Sequence, residues 1–467
     1  MPSVFIKTFG CQMNVRDSEQ VLQDFIERGY QIASSEKWAD IILINTCSVR
    51  AMAEEKAIDK LASLKTAKKK NPNLVLGIIG CMAQNRGREI AEKYRFVDLV
   101  LGTQKFHKVA EIADNLLKNP DRSSSYVDLS KEEAAHNAIN KHLSTKAQPI
   151  AYVSIMQGCS MHCSFCIVPT TRGEERSRPI DEIFEEVKRL AETSVKEIVL
   201  LGQIVNRYGA KEFPWVKGKS PFVQLLEKLS TIEEIKRIRF TSPHPLGFKE
   251  DLIAALRDIP QLCEHVHLPV QSGSDKILKA MRRGYSRSKF LSLVDKLRKA
   301  IPQLALSTDI IVGYPGETEE DFQQTCSLLN EVRFDNAFIF RYSAREGTTA
   351  ASLGDQLSEE VKFERNYRLL EIQNKITMEK AQKWVGQVVE ILVEGESKKN
   401  ASKFQGRTRT NHLVIIPKNE RWRGEFLPVR IVETTGHTFY GTPLISGIDE
   451  ALQFDLQEEI NPAPIVS

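Results

Sequence analysis

The sequence predicts three successive folds: a doubly wound parallel α/β sheet, a partial α/β barrel, and a small antiparallel β-barrel. Three observations carry this. Over residues 1–118, short apolar runs without alternation are each followed by a helical-period segment, the pattern of strands buried on both faces. From Ala151 to about Val385 the same strand-then-helix unit recurs six times, which suits a partial or full α/β barrel. From 382 to 446 the runs turn β-branched or alternating, with glycine-rich turns between them. A chain of 467 residues also fits about three domains, at roughly 150 residues each.

The composition is that of a globular chain, 41% hydrophobic with a net charge of +4. So small a charge says little by itself; its distribution matters. The N-terminus, MPSVFIKTFGCQMN, lacks the basic start and apolar core of a signal peptide, and no run approaches the ~18 apolar residues of a membrane span. Eight cysteines in so long a chain do not make a disulfide scaffold, so a reducing cytoplasm is expected.

In the first unit, VFIKTFG, DIILIN (40–45), LVLGIIG (74–80) and VDLVLG (97–102) read as strands. Between the first two, Val15, Val21, Leu22, Phe25 and Ile26 fall near one helical face. Cys11, Cys47 and Cys81 each stand just after the carboxyl end of a strand. In a parallel sheet those ends share one edge, where ligands bind, so three sequence-distant thiols are expected to converge there. The bland alternative is three unrelated buried thiols. Residues 119–148 are polar and aperiodic and read as a linker.

In the second unit the strands are 152–157, 197–202, 237–242, 265–269, 306–313 and 338–343. Behind the first lies C-x-x-x-C-x-x-C: Cys159, Cys163 and Cys166, with Phe165 before the last thiol. A cubane iron–sulfur cluster takes four thiolates, so three would leave one iron open. Such an iron can chelate the amino and carboxylate groups of S-adenosylmethionine, with Phe165 suited to pack on its adenine. Structural zinc is the alternative; it needs a fourth ligand, and His162 lies between two of the thiols. Arg172, Arg176 and Arg178 follow the loop and would meet phosphates or form a solvated loop. Cys263 and Cys326 read as buried small hydrophobes.

In residues 382–446, ten Lys and Arg face six carboxylates. Lys403, Arg407, Arg409 and Trp422 are among the side chains that would suit RNA on a barrel surface. Residues 447–467 carry five carboxylates and no Lys or Arg, and read as an extended acidic tail.

These motifs carry a resemblance. CSMHCSFC (159–166) matches the radical S-adenosylmethionine cluster motif, and essentially the whole chain resembles the radical S-adenosylmethionine methylthiotransferase family. TFGCQMNVRDSE (8–19), NTCSVR (45–50) and GCMAQ (80–84) are similar to that family's N-terminal domain. TTRGEERSRP (170–179) and LPVQSGSDKIL (268–278) are similar to its radical domain, and 382–446 to its RNA-binding TRAM barrel. FTSPHP (240–245), LLGQIVNRY (200–208) and MRRGYSR (281–287) most resemble the members acting on isopentenylated adenosine in tRNA. The usual glutamine–asparagine–valine is here Gln203-Ile204-Val205.

The resemblance implies domains at 1–118, 149–381 and 382–446. It implies a [4Fe–4S] cluster on Cys159, Cys163 and Cys166 that makes a radical, and an auxiliary one on Cys11, Cys47 and Cys81 that presents sulfur. Two S-adenosylmethionine molecules would serve each turnover, one methylating that sulfur and one supplying the radical that takes hydrogen from carbon 2 of the adenine. Phe165, Gly202, Gln203, Gln271, Ser272 and Gly313 would contact S-adenosylmethionine. The implied partners are tRNA with an isopentenylated adenosine beside the anticodon, an electron donor and a sulfur donor, around a monomer. The related alternatives are methylthiotransferases for threonylcarbamoyl-adenosine in tRNA or for a ribosomal-protein aspartate. A two-cluster electron carrier that binds RNA is the alternative from another class.

Overall fold

The computed structural model describes residues 1–48, 51–119, 124–131, 140–143 and 148–444. The expected acidic tail and much of the expected linker lie outside these.

The N-terminal strands are β1 (Ser3–Phe9), β2 (Gln31–Ile32), β3 (Ile41–Thr46), β4 (Val75–Gly80), β5 (Leu99–Leu101) and β6 (Tyr126–Asp128), in the sheet order β2-β1-β3-β4-β5-β6, every pair parallel. β3 and β4 are buried at every position, as their unbroken apolar runs require. One face packs Leu43 and Ile79 against Phe25 and Val109; the other packs Ile44 and Ile78 against Leu61 and Ile90. The sheet is therefore clothed on both sides. β6 falls inside the segment read as linker. Three residues are too short to show a period, and β6 is an edge strand paired with β5 and tied to Lys105 through Asp128 (3.4 Å).

Helix Gln12–Glu27 departs from its expected face. Val21 and Phe25 are buried, but Val15 is 40% exposed. The helix instead buries Asn14, Arg16, Asp17 and Ser18. Arg16 and Asp17 pair with Glu186 and Arg172 of the neighbouring domain, while Ser18 bonds Thr8 and Asn45 of its own sheet, and an apolar pattern reveals neither.

The middle region begins with β7 (Ile150–Ser154), a hairpin of β8 (Met156–Gln157) and β9 (Arg176–Ser177), and then β10 (Glu197–Leu201) and β11 (Arg237–Phe240). It continues with β12 (His265–His267), β13 (Ala305–Val312) and β14 (Asn336–Arg341). Strands β7, β10 and β11 form one parallel set and β12, β13 and β14 another, joined by the bridge Ile238↔Leu262. Six strands in sequence order make an open partial barrel. Ile198, Leu200, Leu306 and Ile310 point outward into the helices. The opposite face carries Tyr152, Val199, Arg239, His267, Asp309 and Phe338, by strand alternation.

The last five strands, β15 (Val388–Glu396), β16 (Lys403–Thr408), β17 (Leu413–Pro417), β18 (Phe426–Thr434) and β19 (Thr438–Pro443), close into a barrel around Ile391, Phe404, Val414, Val429 and Phe439. It is antiparallel except for β17 and β19, which pair parallel.

The three units touch through named contacts. Met13 packs on Val199 and Leu201, so the N-terminal unit covers part of the inner face of the partial barrel. Arg237 and Arg239 reach the small barrel, donating to the carbonyl oxygens of Arg407 (2.8 Å), Arg409 (2.7 Å) and Thr408 (2.7 Å). Among the described residues no helix is long and apolar enough to cross a membrane.

Candidate metal and cofactor site

Sheet register gathers the first thiol set. Phe9 pairs with Thr46 and Thr46 with Gly80, so Cys11, Cys47 and Cys81 follow three adjacent strands at one edge. Gly10 (φ +119°) permits the approach, since a Cβ there would overlap that of Cys47. Cys11 caps helix Gln12–Glu27, and Cys81 opens helix Cys81–Lys93. Helix N-termini favour thiolate. The Cys11 thiol donates to Asn14 Oδ1 (3.1 Å). Its pKa is drawn down to about 6, chiefly by its hydrogen bond with Cys47 and also by the Arg172 guanidinium. Burial pushes Cys81 up, opposed by the same guanidinium.

The second set sits on the loop closed by β8 and β9. Gly158 (φ +79°) must be glycine, because a Cβ would strike the Glu174 carbonyl. Cys159 N–H donates to Gly173 O (3.0 Å), and Cys166 N–H to Cys163 O (3.1 Å). Ser164 anchors the loop: its hydroxyl donates to Ala280 O (2.8 Å) and lies 2.8 Å from the Tyr314 hydroxyl. Phe165 packs beside Ile277, Met281, Tyr314 and Tyr342. Arg283 donates to Cys163 Sγ (3.4 Å). Burial raises Cys159 and takes Cys166 to about 12, so metal loading would have to displace those protons. Among the described residues no three His, Cys, Asp or Glu side chains close on a single metal ion. Each thiolate of a cubane binds a different iron, so the three need not meet at one point.

Both sets fit a cluster by their chemistry, and buried donors and acceptors without partners fit further ligands. Arg172 Nη1 is buried and has no hydrogen-bond partner beside the first set. The side-chain oxygens of Gln203 and Gln271 are likewise buried and unpartnered, behind β10 and β12. Gln271 also holds φ +76°, a strained value for a residue with a side chain. At Gly202 a Cβ would lie 2.5 Å from Met156 Cγ. Two expected S-adenosylmethionine contacts are otherwise engaged. The Ser272 hydroxyl pairs with Thr325 (3.3 Å) and accepts from Ser274 N–H (3.2 Å). Gly313 N–H donates to Glu317 (3.0 Å), and Lys362 fills the space over its Cα.

The expected phosphate contacts need correction. Arg172 and Arg178 are 4% and 1% exposed. Arg172 is bound to Asp17 (2.6 Å) of the N-terminal unit, and Arg178 to Glu186 (2.6 Å) and the Ser154 carbonyl (2.6 Å) of its own domain. Arg176 is half-buried in β9 opposite Gln157. Arg409 is turned onto Glu264 (2.8 Å) and the Leu262 carbonyl (2.7 Å), so it docks the small barrel rather than facing outward. Arg407 is paired with Glu394 (3.0 Å), Lys403 lies over the Tyr440 ring, and Trp422 packs on the barrel core. Lys398, Lys399, Arg421 and Arg430 are exposed instead.

Several residues escaped the sequence reading. Asn14, Asp17 and Arg283 are polar groups that tertiary contact brings to the thiols: Asn14 accepts from Cys11 (3.1 Å), Asp17 holds Arg172 (2.6 Å) and Arg283 donates to Cys163 (3.4 Å). Phe338 and Phe340 are 45% and 37% exposed on the inner face of β14. Register sets them beside Asp309 and Ile311. Ile311 packs with the cluster that holds Phe165, so this apolar strip runs on from the thiol loop. The signal was present: in NAFIFR, Ala337 and Ile339 serve the core while phenylalanine occupies the other face.

Comparison with known proteins agrees with this geometry. Residues 153–329 match the Radical SAM superfamily, 3–102 the Uncharacterized protein family UPF0004, and 382–444 the TRAM domain. A protein of Akkermansia muciniphila named tRNA-2-methylthio-N(6)-dimethylallyladenosine synthase is 49% identical, covering 95% of this chain and 99% of its own. One of the same name from Opitutus terrae is 46% identical, covering 96% and 98%. The radical S-adenosylmethionine methyltransferase TsrM of Kitasatospora setae shares the fold, with TM-score 0.56 at 12% identity, over 75% of this chain and 77% of that one. With its three matched domains and relatives nearly half identical along their full length, the chain belongs to the tRNA-2-methylthio-N(6)-dimethylallyladenosine synthase family of radical S-adenosylmethionine methylthiotransferases.

Proposed function

We propose that the protein inserts a methylthio group at carbon 2 of isopentenylated adenosine beside the anticodon of tRNA. The observation that carries it is the pair of three-thiol sets, one at the carboxyl ends of three parallel strands and one on the loop that follows β7 and β8, on two units that pack together. A [4Fe–4S] centre on Cys159, Cys163 and Cys166 would supply the electron that cleaves S-adenosylmethionine, and one on Cys11, Cys47 and Cys81 would supply the sulfur, with two S-adenosylmethionine consumed per turnover.

The chain's own residues do the rest. Gln203 and Gln271 offer buried acceptors to S-adenosylmethionine, and Phe165 offers an aromatic face. The N-terminal unit covers the inner face at Val199 and Leu201, which keeps water from a reactive site. Phe338, Phe340 and Ile311 give the open part of that face an apolar wall. Such a wall suits a prenyl group and disfavours the carboxylate of threonylcarbamoyl-adenosine. The exposed lysines and arginines of the small barrel suit tRNA phosphates and repel a basic ribosomal protein. An electron donor and a sulfur donor complete the requirement, for a monomer acting in the cytoplasm.

Mass spectrometry of nucleosides tests this. Prenylated tRNA incubated with reconstituted protein, reductant, sulfide and S-adenosylmethionine is expected to yield the methylthio nucleoside. Turnover of threonylcarbamoyl-adenosine instead, or formation of 5′-deoxyadenosine with no change in any tRNA, would overturn the assignment.

A further inference from the structure

Arg172 lies six residues after Cys166 in the chain, yet its side chain is buried in the other unit. The segment that carries it is held there by a second contact, since Thr103 donates to the Thr171 carbonyl (2.5 Å). Its Nη2 donates to Asp17 Oδ2 (2.6 Å) and reaches Asn14 Oδ1 (3.4 Å), the same oxygen that accepts from the Cys11 thiol. Its Nη1 is buried without a partner, and so is Asp17 Oδ1. The other charge acting on Asp17 is Arg16, whose own carboxylate partner is Glu186 at 3.7 Å. A single guanidinium thus stands between the radical-domain loop and the thiols of Cys11 and Cys81, its charge balanced mainly by one carboxylate.

We propose that Arg172 and Asp17 form a buried charge pair that sets the reduction potential of the centre held by Cys11, Cys47 and Cys81, with the orphaned Nη1 donating to that centre. The inference rests on those three cysteines holding an iron–sulfur centre. Reduction adds one negative charge to a cluster, so a nearby cation favours the reduced form and a nearby anion opposes it, strongly where water is excluded. Because the pair is close to neutral, removing either member exposes the charge of the other. Arg172 acts on the centre itself, by its charge and by that hydrogen bond, and Asp17 is a positioning residue that acts through Arg172. The origin of Arg172 in the loop of Cys159, Cys163 and Cys166 also makes the first centre's environment depend on docking of the second domain.

The test is a redox titration followed by electron paramagnetic resonance. It uses the full-length chain with Cys159, Cys163 and Cys166 replaced by alanine, so that only the other centre loads. Arg172→Met should shift its midpoint potential to more negative values, and Asp17→Asn to less negative values. The double variant, in which both charges are gone, should return close to the parent, and Arg172→Lys should stay near it. These opposite signs separate a charge effect from loss of structure, which would move both single variants alike or lower iron occupancy in both. Shifts of the same sign, no shift, or a double variant no closer to the parent than the singles would overturn the role of Arg172 while leaving the thiol assignment intact. A parent chain that binds no iron at Cys11, Cys47 and Cys81 would overturn both.

Discussion

Arg239→Met should detach the small barrel from the radical domain. Arg239 is 7% exposed and makes three short bonds: to Glu197 (2.8 Å) and to the carbonyls of Arg409 and Thr408 (2.7 Å each). Methionine fills much of the same volume but donates nothing. Each lost bond from a charged donor is worth about 1.5–3 kcal/mol. Glu197, 1% exposed, would be left with Arg237 at 3.8 Å as its remaining cation. Stranding one member of a buried ion pair costs about 3–5 kcal/mol. That cost falls on the radical domain, which holds both Glu197 and Arg239; the two bonds that cross to the small barrel set the docking loss, about 3–6 kcal/mol or a hundredfold and more. Trp384 and Trp422 both pack on the small barrel and report on it by fluorescence in a urea titration. In a chain of several domains the first transition is the one to follow. Arg239→Lys, which keeps the charge beside Glu197 but not the fork, should fall between. A loss under about 1 kcal/mol for Arg239→Met would refute the view that this pair of arginines carries the docking.

Three further outcomes follow from the same contacts. Replacing Phe338 and Phe340 by alanine should lower the preference for a prenylated over an unprenylated anticodon stem-loop by about 1–2 kcal/mol, part of the ~0.8 kcal/mol per buried methylene, as read by competition binding. Glu186→Gln strips the carboxylate from Arg178 (2.6 Å) and Arg16 (3.7 Å), both buried, and should destabilise the chain by about 3–5 kcal/mol in thermal or urea unfolding. Lys398→Ala with Lys399→Ala should reduce the log–log salt slope of tRNA binding by about two, whereas Arg409→Ala should leave that slope alone because its charge is spent on Glu264.

The parts of the fold legible in the sequence were those with repeated local signals. Runs such as IILINT and VLGIIG are buried throughout and marked their strands directly. The thiols were legible for a related reason: each follows a strand end, and parallel register then brings Cys11, Cys47 and Cys81 to one edge. Cys263 and Cys326 are buried, as a small hydrophobe in helical or turn context should be. What escaped depends on contacts between units. An arginine after a thiol loop looks solvated until another domain covers it, as happens to Arg172, or until a carboxylate of its own domain binds it, as Glu186 binds Arg178. Asn14, Arg16 and Asp17 look like the polar side of an amphipathic helix, and that side is the interface. Ser272 and Gly313 fell at the expected strand ends, but strand position does not fix which way a hydroxyl or an N–H points.

Iron and sulfide content most directly tests the claim that this chain carries two open, three-thiol centres. Anaerobically reconstituted full-length protein is expected to hold about eight irons, and about four when either Cys159, Cys163 and Cys166 or Cys11, Cys47 and Cys81 are replaced by alanine. About four irons in the unmodified chain, or a full complement surviving either triple replacement, would contradict it.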